Sequence, residues 1–223
     1  SEMGLKVMQI GCDPKADSTI LLCHGEAVPA VLDLYNRKKQ ALKLDDMIRI
    51  GYNGVICVEA GGPTPGLGCA GRGIITALEK LKELGAYDVY KPDVVLYDVL
   101  GDVVCGGFSM PMRGGYADKV FIITSGENMA IHAAANIAMA VDNFKNRGYA
   151  ELGGLILNRR DVPREEEKVE ELADDFQTTI VGTLSILAEE QKKTLLECYP
   201  ESEMAEEYRV LARQIYRICG EEI

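Results

Sequence analysis

The feature that most constrains the fold of this 223-residue chain is an alternation of short β-rich apolar runs with amphipathic helical stretches. The predicted strands are Lys6–Ile10, Gly54–Val58, Asp93–Tyr97, Lys119–Thr124, Leu152–Leu157 and Thr179–Val181. Most of these runs are continuously apolar, which is typical of strands buried on both faces of a parallel sheet. The order predicts an α/β fold with a doubly wound, mostly parallel sheet that binds ligands at the carboxyl ends of its strands.

Four stretches have the apolar spacing of helices that bury one face. The predicted helices are 72–84, 127–145, 165–176 and 203–218. Ser202 is a candidate N-cap for the last of them, because its hydroxyl can accept a hydrogen bond from the first turn. The sequence contains no repeat, linker or low-complexity tract, so we expect one domain over residues 1–223.

Charge and hydropathy exclude several classes of function. The net charge of −11 argues against a nucleic-acid partner, since phosphates repel an acidic surface. No apolar run approaches the roughly 18 residues of a membrane-spanning helix, and no secretion signal is visible. We therefore expect a cytoplasmic protein without a membrane partner.

Two of the seven cysteines lie in glycine-rich loops after predicted strands, where a metal can reach a thiol. They are Cys69, in Gly-Gly-Pro-Thr-Pro-Gly-Leu-Gly-Cys-Ala-Gly-Arg-Gly (61–73), and Cys105, in Asp-Val-Leu-Gly-Asp-Val-Val-Cys-Gly-Gly-Phe (98–108). An iron–sulfur cluster normally takes four cysteine thiolates. Either these thiols hold no metal, or two copies of the chain share one cluster.

The other cysteines lie in or beside strand-like or helical patterns, and we interpret each as a small buried apolar residue. They are Cys12, Cys23, Cys57, Cys198 and Cys219. The sequence has no Cys-x-x-Cys pair, which argues against a one-chain zinc ribbon or ferredoxin site.

Two further loops carry polar residues that an apolar core does not need. Residues 11–19 combine Asp13, Lys15 and Asp17 with two hydroxyls, a set that suits a magnesium-phosphate ligand but also suits a solvated turn. The run Val-Val-Leu-Tyr-Asp ends at Asp98 and resembles a Walker-B strand, whose terminal aspartate holds magnesium. Asp102 follows as a candidate for orienting or deprotonating water.

Taken together, these motifs resemble the nitrogenase iron protein family, including its nitrogenase-like reductase members. The resemblance rests on Asp-Pro-Lys-Ala-Asp-Ser-Thr (13–19) and on the two cysteine loops, in the family's order and spacing. It continues through Thr124-Ser-Gly-Glu127, Leu157-Asn158-Arg159-Arg160 and the segment 207–213. The implied fold is a P-loop NTPase of the deviant-Walker, SIMIBI type.

The resemblance implies a homodimeric, ATP-hydrolysing reductase component that bridges its subunits with one [4Fe–4S] cluster. Cys69 and Cys105 of each subunit would be the cluster ligands. Asp13, Lys15 and Asp17 fall on switch I, with Lys15 near phosphate and Asp17 near magnesium. The electron donor would be a ferredoxin or flavodoxin-type protein, and the acceptor a nitrogenase-like catalytic complex.

The remaining roles also come from the resemblance. Asp98 is the Walker-B acid, Asp102 positions or activates water, and Asn158 recognises adenine. Arg72 matches an exposed docking arginine that is ADP-ribosylated in some members.

Two departures from the family pattern fall on nucleotide-contacting loops. The family begins with a strand and a phosphate loop, Gly-x-Gly-Gly-x-Gly-Lys-Ser-Thr, which this sequence lacks before Ser1. A chain without that loop loses the backbone cradle for phosphates and should not hydrolyse ATP; we expect the segment to belong to the protein nonetheless. The second departure lies beside Ser185, where members of the family usually have a few more residues than this sequence.

Two rival functions share this fold. A ParA/MinD-like partitioning or scaffold ATPase dimerises around ATP and needs no thiols. A cluster-assembly or carrier ATPase typically bears a Cys-x-x-Cys pair, which is missing here. The iron content of the protein separates the first rival from an electron-transfer protein.

Overall fold

The computed structural model describes residues 1–62, 71–101, 110–112, 115–144, 148–186 and 193–220. The strands are β1 (Val7–Gly11), β2 (Arg49–Ile50), β3 (Ile56–Glu59), β4 (Val94–Asp98), β5 (Lys119–Thr124), β6 (Glu151–Asn158) and β7 (Ile180–Leu184). The helices are α1 (Val31–Lys38), α2 (Leu44–Met47), α3 (Gly71–Glu83), α4 (Ala86–Tyr90), α5 (Asn128–Phe144), α6 (Glu165–Asp175), α7 (Leu195–Cys198) and α8 (Glu203–Ile218). Within this part of the chain, none of the helices is long and apolar enough to cross a bilayer.

One compact unit contains β1–β4 and α1–α4. Its sheet has the order β2-β3-β1-β4, in which β1 runs parallel to both β3 and β4, and β2 is antiparallel to β3. Met8 and Ile10 of β1 are fully buried, as are Ile74 and Leu78 of α3. The strand at the centre of the sheet is therefore covered by apolar packing, as its continuous apolar run predicts.

The second unit contains β5–β7 and α5–α8, and its parallel sheet has the order β5-β6-β7. Leu155 and Leu157 of β6 belong to a core cluster with residues of α5 and α6. Ile156, between them, belongs to another cluster with Leu211 of α8. Because successive side chains of a strand point to opposite faces, β6 is covered on both.

The parallel α/β architecture predicted from the strand–helix alternation is confirmed, with the strands distributed over two sheets. Every predicted strand and helix overlaps an observed one, and β7 extends past the predicted end to Leu184. Ser202 is the N-cap of α8, since its hydroxyl accepts a hydrogen bond from the Ala205 amide at 3.1 Å. The expectation of one nucleotide-binding domain over 1–223 stays a prediction.

The sequence patterns missed the short elements. The strand β2 has two residues, α2 and α7 have four and α4 has five, which is too few for a period to show. The helix α1 was missed for another reason: its N-cap residue is Ala30, which has no side-chain oxygen to mark the start. Val31, Leu32 and Leu34 of this helix are buried and hold it in place.

Candidate functional site

The candidate site begins where three parallel strands end in the same register. Gly11, the last residue of β1, is the register partner of Glu59 at the end of β3 and of Asp98 at the end of β4. Two backbone hydrogen bonds continue this alignment: Ala60 N–H donates to Gly11 O at 2.8 Å, and Cys12 N–H donates to Asp98 O at 2.9 Å. The chain thus brings two carboxylates to one carboxyl edge, the place where such sheets bind ligands.

The loop after β1 is connected directly to the Walker-B-like aspartate. Ser18 Oγ donates to Asp98 Oδ2 at 2.6 Å. Gln9 Nε2 in turn donates to Ser18 Oγ at 2.9 Å and to Ser18 O at 3.1 Å. The two segments that the sequence assigned to magnesium and phosphate, 13–19 and the end of β4, therefore meet in the folded chain.

Local hydrogen bonds shape the loop itself. Asp13 Oδ1 accepts the Lys15 N–H at 2.8 Å, and Asp13 O accepts the Ala16 N–H at 3.0 Å. This is a turn built on an aspartate side chain, and Ala16 within it has a φ of 54°. Lys15 and Asp17 are exposed on this turn, where a charged ligand can reach both.

Glu59 is a functional candidate that we did not predict from the sequence. It is fully buried, and its Oε1 accepts hydrogen bonds from Thr19 N at 2.7 Å and Thr19 Oγ1 at 2.6 Å. Burial raises the pKa of Glu59 above its ordinary value, whereas the two Thr19 bonds lower it and the charges of Asp17 and Asp98 raise it. The available signal was a glutamate at the end of an otherwise apolar run, Val55 to Val58.

Close packing explains three glycines around this edge, against a side chain at Gly11 and Gly62 and against the backbone at Gly73. A Cβ at Gly11 would lie 2.0 Å from Glu59 Oε2. A Cβ at Gly62 would lie 2.5 Å from Pro14 Cβ, and one at Gly73 would lie 1.9 Å from Gly61 O. The start of α3 and the end of β3 therefore pack at distances that only glycine allows.

Three predicted site residues, Cys69, Cys105 and Asp102, lie outside the described residues. Arg72 is exposed in the first turn of α3. Asn158 is exposed at the end of β6, in register with Leu184 at the end of β7. The roles predicted for these residues stay predictions.

Of the five cysteines interpreted as buried apolar residues, Cys12 and Cys57 are buried and Cys23 is half-buried. The interpretation is wrong for Cys198 and Cys219, which are exposed because they end α7 and follow α8. Burial raises the pKa of Cys12 and of Cys57 to about 12 in each case, so both thiols stay neutral and are poor metal ligands.

In the part of the chain that the structure covers, no three His, Cys, Asp or Glu residues cluster as a metal cage. A magnesium site does not need such a cage, because Mg²⁺ uses one or two carboxylates together with water and substrate phosphates. Asp98 is exposed at the strand edge and is a suitable carboxylate for that purpose.

A family model described as 4Fe-4S iron sulfur cluster binding proteins, NifH/frxC family, matches residues 1–220. The chain belongs to this family. A nitrogenase iron protein from Methanococcus voltae is 47% identical to it, in an alignment covering 97% of this chain and 80% of the relative. The predicted family is thereby confirmed, and a [4Fe–4S] cluster and MgATP are the cofactors of proteins of this family.

Solved structures support the fold independently. The cell division ATPase MinD from Pyrococcus furiosus aligns with a TM-score of 0.68 and 17% identity, covering 97% of this chain and 88% of that one. The MinD cell division protein from Aquifex aeolicus aligns with a TM-score of 0.65 and 16% identity, covering 100% and 87%. At this level of identity the likeness concerns the fold alone.

Proposed function

We propose that this chain is the ATP-dependent reductase component of a nitrogenase or nitrogenase-like system. The observation that carries the proposal is the Ser18–Asp98 hydrogen bond at the shared carboxyl edge of β1, β3 and β4, in a chain of the NifH/frxC family. It connects a switch-like loop to the strand that leads toward Cys105, so a ligand at Asp98 has a direct contact through which to alter that loop.

On the nucleotide side, we assign roles by chemistry. Asp98 supplies a carboxylate for magnesium, and Asp17 lies on the adjoining exposed loop as a candidate second contact. Lys15 offers a point charge to phosphate, while Asp13 shapes the turn that presents it. Asp102 orients or deprotonates the attacking water, and Asn158 hydrogen-bonds the adenine base.

On the cluster side, Cys69 and Cys105 are the proposed ligands, two from each subunit of a homodimer. The surroundings of the Cys69 segment fit a bulky anionic group, because Gly61 and Gly62 precede it and α3 begins directly after it. A glycine-rich backbone can approach such a group closely and donate N–H groups to it. When bound, the cluster supplies one-electron chemistry.

The proposed partners follow from these assignments. A ferredoxin or flavodoxin-type protein donates the electron, and a nitrogenase-like catalytic complex accepts it. Arg72 is exposed beside the Cys69 segment and is the proposed contact for that complex, or for ADP-ribosylation. Recovery of the catalytic complex with the tagged protein, and its loss with Arg72→Glu, would test the contact.

Replacing the proposed ligands tests the central assignment. Anaerobically purified Cys69→Ala and Cys105→Ala variants should each lose the visible absorbance and the iron of the cluster, because each dimer then retains two of four thiolates. Cys219→Ala is the matched control, since Cys219 is exposed beyond α8 and should retain both signals. A retained cluster in either ligand variant would rule out the shared-ligand scheme.

The rival ParA/MinD-like function has support from the fold alone. It requires no iron. A colourless, iron-free wild-type protein that still binds ATP would favour this switch function and contradict the reductase proposal.

A further inference from the structure

Two neighbouring hydroxyls on one loop bond to carboxylates on two different strands. Ser18 donates to Asp98 at the end of β4, and Thr19 donates to Glu59 at the end of β3. In the sequence β4 leads to Cys105 and β3 leads to Cys69. The proposed function uses only the β4 contact, and it leaves the Thr19–Glu59 contact without a role.

The Thr19–Glu59 contact is costly to bury. Both residues have zero exposure, and Glu59 accepts from both the amide and the hydroxyl of Thr19. Among the described residues, Glu59 Oε2 has no hydrogen-bond partner. An apolar residue would fill this position without the cost of desolvating a carboxylate, so packing alone does not account for a glutamate here.

The loop contacts the end of β3 at a second point. Pro14 lies so close to Gly62 that a Cβ there would be 2.5 Å from Pro14 Cβ. Gly11 also packs closely against this loop, since a Cβ at Gly11 would lie 2.7 Å from Ser18 Cβ. Since no space for a side chain remains between Pro14 and Gly62, the loop and the segment after β3 are packed against each other, and a displacement of one is transmitted to the other.

We propose that Thr19 and Glu59 are positioning residues that couple nucleotide occupancy of the loop to the segment carrying Cys69. This inference rests on the proposed function and adds a β3 route beside the Asp98 route. Ser18 and Thr19 are adjacent, so a ligand that changes the Ser18–Asp98 bond also changes the geometry of the Thr19–Glu59 bond. One loop is then bonded to both strands that lead to the cysteine segments.

The test compares two variants that lose one partner of the Thr19–Glu59 hydrogen bond with two conservative variants that keep both partners. Thr19→Val removes the hydroxyl and keeps the shape, and Glu59→Met removes the acceptor with an apolar side chain of similar length. Thr19→Ser and Glu59→Gln keep a hydroxyl donor and an acceptor oxygen. Each anaerobically purified protein is assayed for cluster absorbance, for MgADP affinity, and for iron removal by a ferrous chelator with and without MgATP.

We expect the loss variants to keep the cluster, while the effect of saturating MgATP on iron removal falls by about tenfold or more. Thr19→Ser and Glu59→Gln should retain the wild-type response. A purely structural role would alter stability in the loss variants and leave the nucleotide response intact.

The possible outcomes test the coupling role separately from the proposed reductase function. A wild-type nucleotide response in either loss variant that folds overturns the coupling role and leaves the reductase proposal standing. If a single loss variant does not fold, the double variant Thr19→Val/Glu59→Met decides, because replacing both partners of a buried polar pair by apolar groups is often close to neutral for folding. Absence of a cluster from the wild-type protein overturns both proposals.

Discussion

The carboxyl edges of the two sheets differ in the elements that supply their carboxylates. At the edge of the first sheet, Gly11, Glu59 and Asp98 share one register, and the side chains of Ser18 and Thr19 bond directly to the carboxylates. The acceptors there are side-chain oxygens, and one of them is buried. Such an arrangement suits Mg²⁺, which binds carboxylate oxygens on one side and the oxygens of substrate phosphates on the other.

At the edge of the second sheet, the carboxylates come from helices instead, since Glu165 begins α6 and Glu207 lies in α8. Glu165 Oε2 accepts the Arg160 N–H at 3.0 Å, and Glu207 accepts both the amide and the hydroxyl of Ser185, at 2.8 and 2.5 Å. Asn158 itself remains exposed. The first edge thus presents acidic side chains, whereas the second presents the neutral amide of Asn158.

The largest expected effect comes from removing the charge of Asp98 at the edge of the first sheet. Asp98→Asn should lower ATP hydrolysis on the order of a hundredfold, the range seen when one group that stabilises transition-state charge is removed. The readout is phosphate release at saturating MgATP. Asp88→Asn on α4 is the control, because Asp88 is exposed and lies on another element. Equal loss in both variants would contradict a special role for the edge.

The close packing beside the first edge predicts the next largest effect. Gly73→Ala should lower the free energy of unfolding by about 1–3 kcal/mol, because its Cβ would lie 1.9 Å from the backbone oxygen of Gly61. Gly182→Ala in the second unit should cost less, since the nearest atom, at 2.7 Å, is the Cδ1 end of Leu211.

Urea titration of both glycine variants measures this difference. Gly101→Ala is the control, as a Cβ there meets no atom of the described residues within 4 Å. A larger cost for Gly182→Ala than for Gly73→Ala would show that the first edge tolerates displacement more readily than the glycine contacts indicate.

Removing the amide sharpens the assignment of the second edge. Asn158→Ala should weaken ATP binding about tenfold and reduce the preference for ATP over GTP, because one or two hydrogen bonds to the base are lost. Iron content should not change. Asn143→Ala, an exposed position on α5, is the matched control. Equal weakening of ATP and GTP would argue against base recognition by Asn158.

The smallest expected effect concerns the helix that packs behind β7. Ser202→Ala removes the N-cap of α8 and should lower the free energy of unfolding by about 1 kcal/mol. Ser202→Asp should restore most of it, since a carboxylate caps as well. Chemical denaturation measures both variants, and the affinity of the first edge for MgADP should stay constant. An Ala variant as stable as wild type would mean that packing alone holds this helix.

Much of the fold was predictable because its signals are local. The apolar runs of β1, β4, β5 and β6 predicted buried parallel strands, and the Ser202 cap was visible three residues before its partner. The elements that escaped prediction, such as α1 and β2, are stabilised by burial against the rest of the unit or are too short to show a period.

The candidate site also contains residues that the sequence predicted and one that it did not. Asp13, Lys15, Asp17 and Asp98 stood out as polar residues after apolar runs, and the structure places their loop and strand together. Glu59 did not stand out, because the meaning of a glutamate at the end of β3 depends on Thr19, which is 40 positions away in the chain.

By itself, the sequence determined the strand–helix order, the loops that are proposed to carry the chemistry and, through three long motifs, the family. Only the tertiary structure decided that Gly11, Glu59 and Asp98 end in one register and that Ser18 and Thr19 each bond to a different strand. The physical reason is that propensity and hydrophobic pattern act over neighbouring residues, whereas register and buried polar pairs depend on which distant segments pack together.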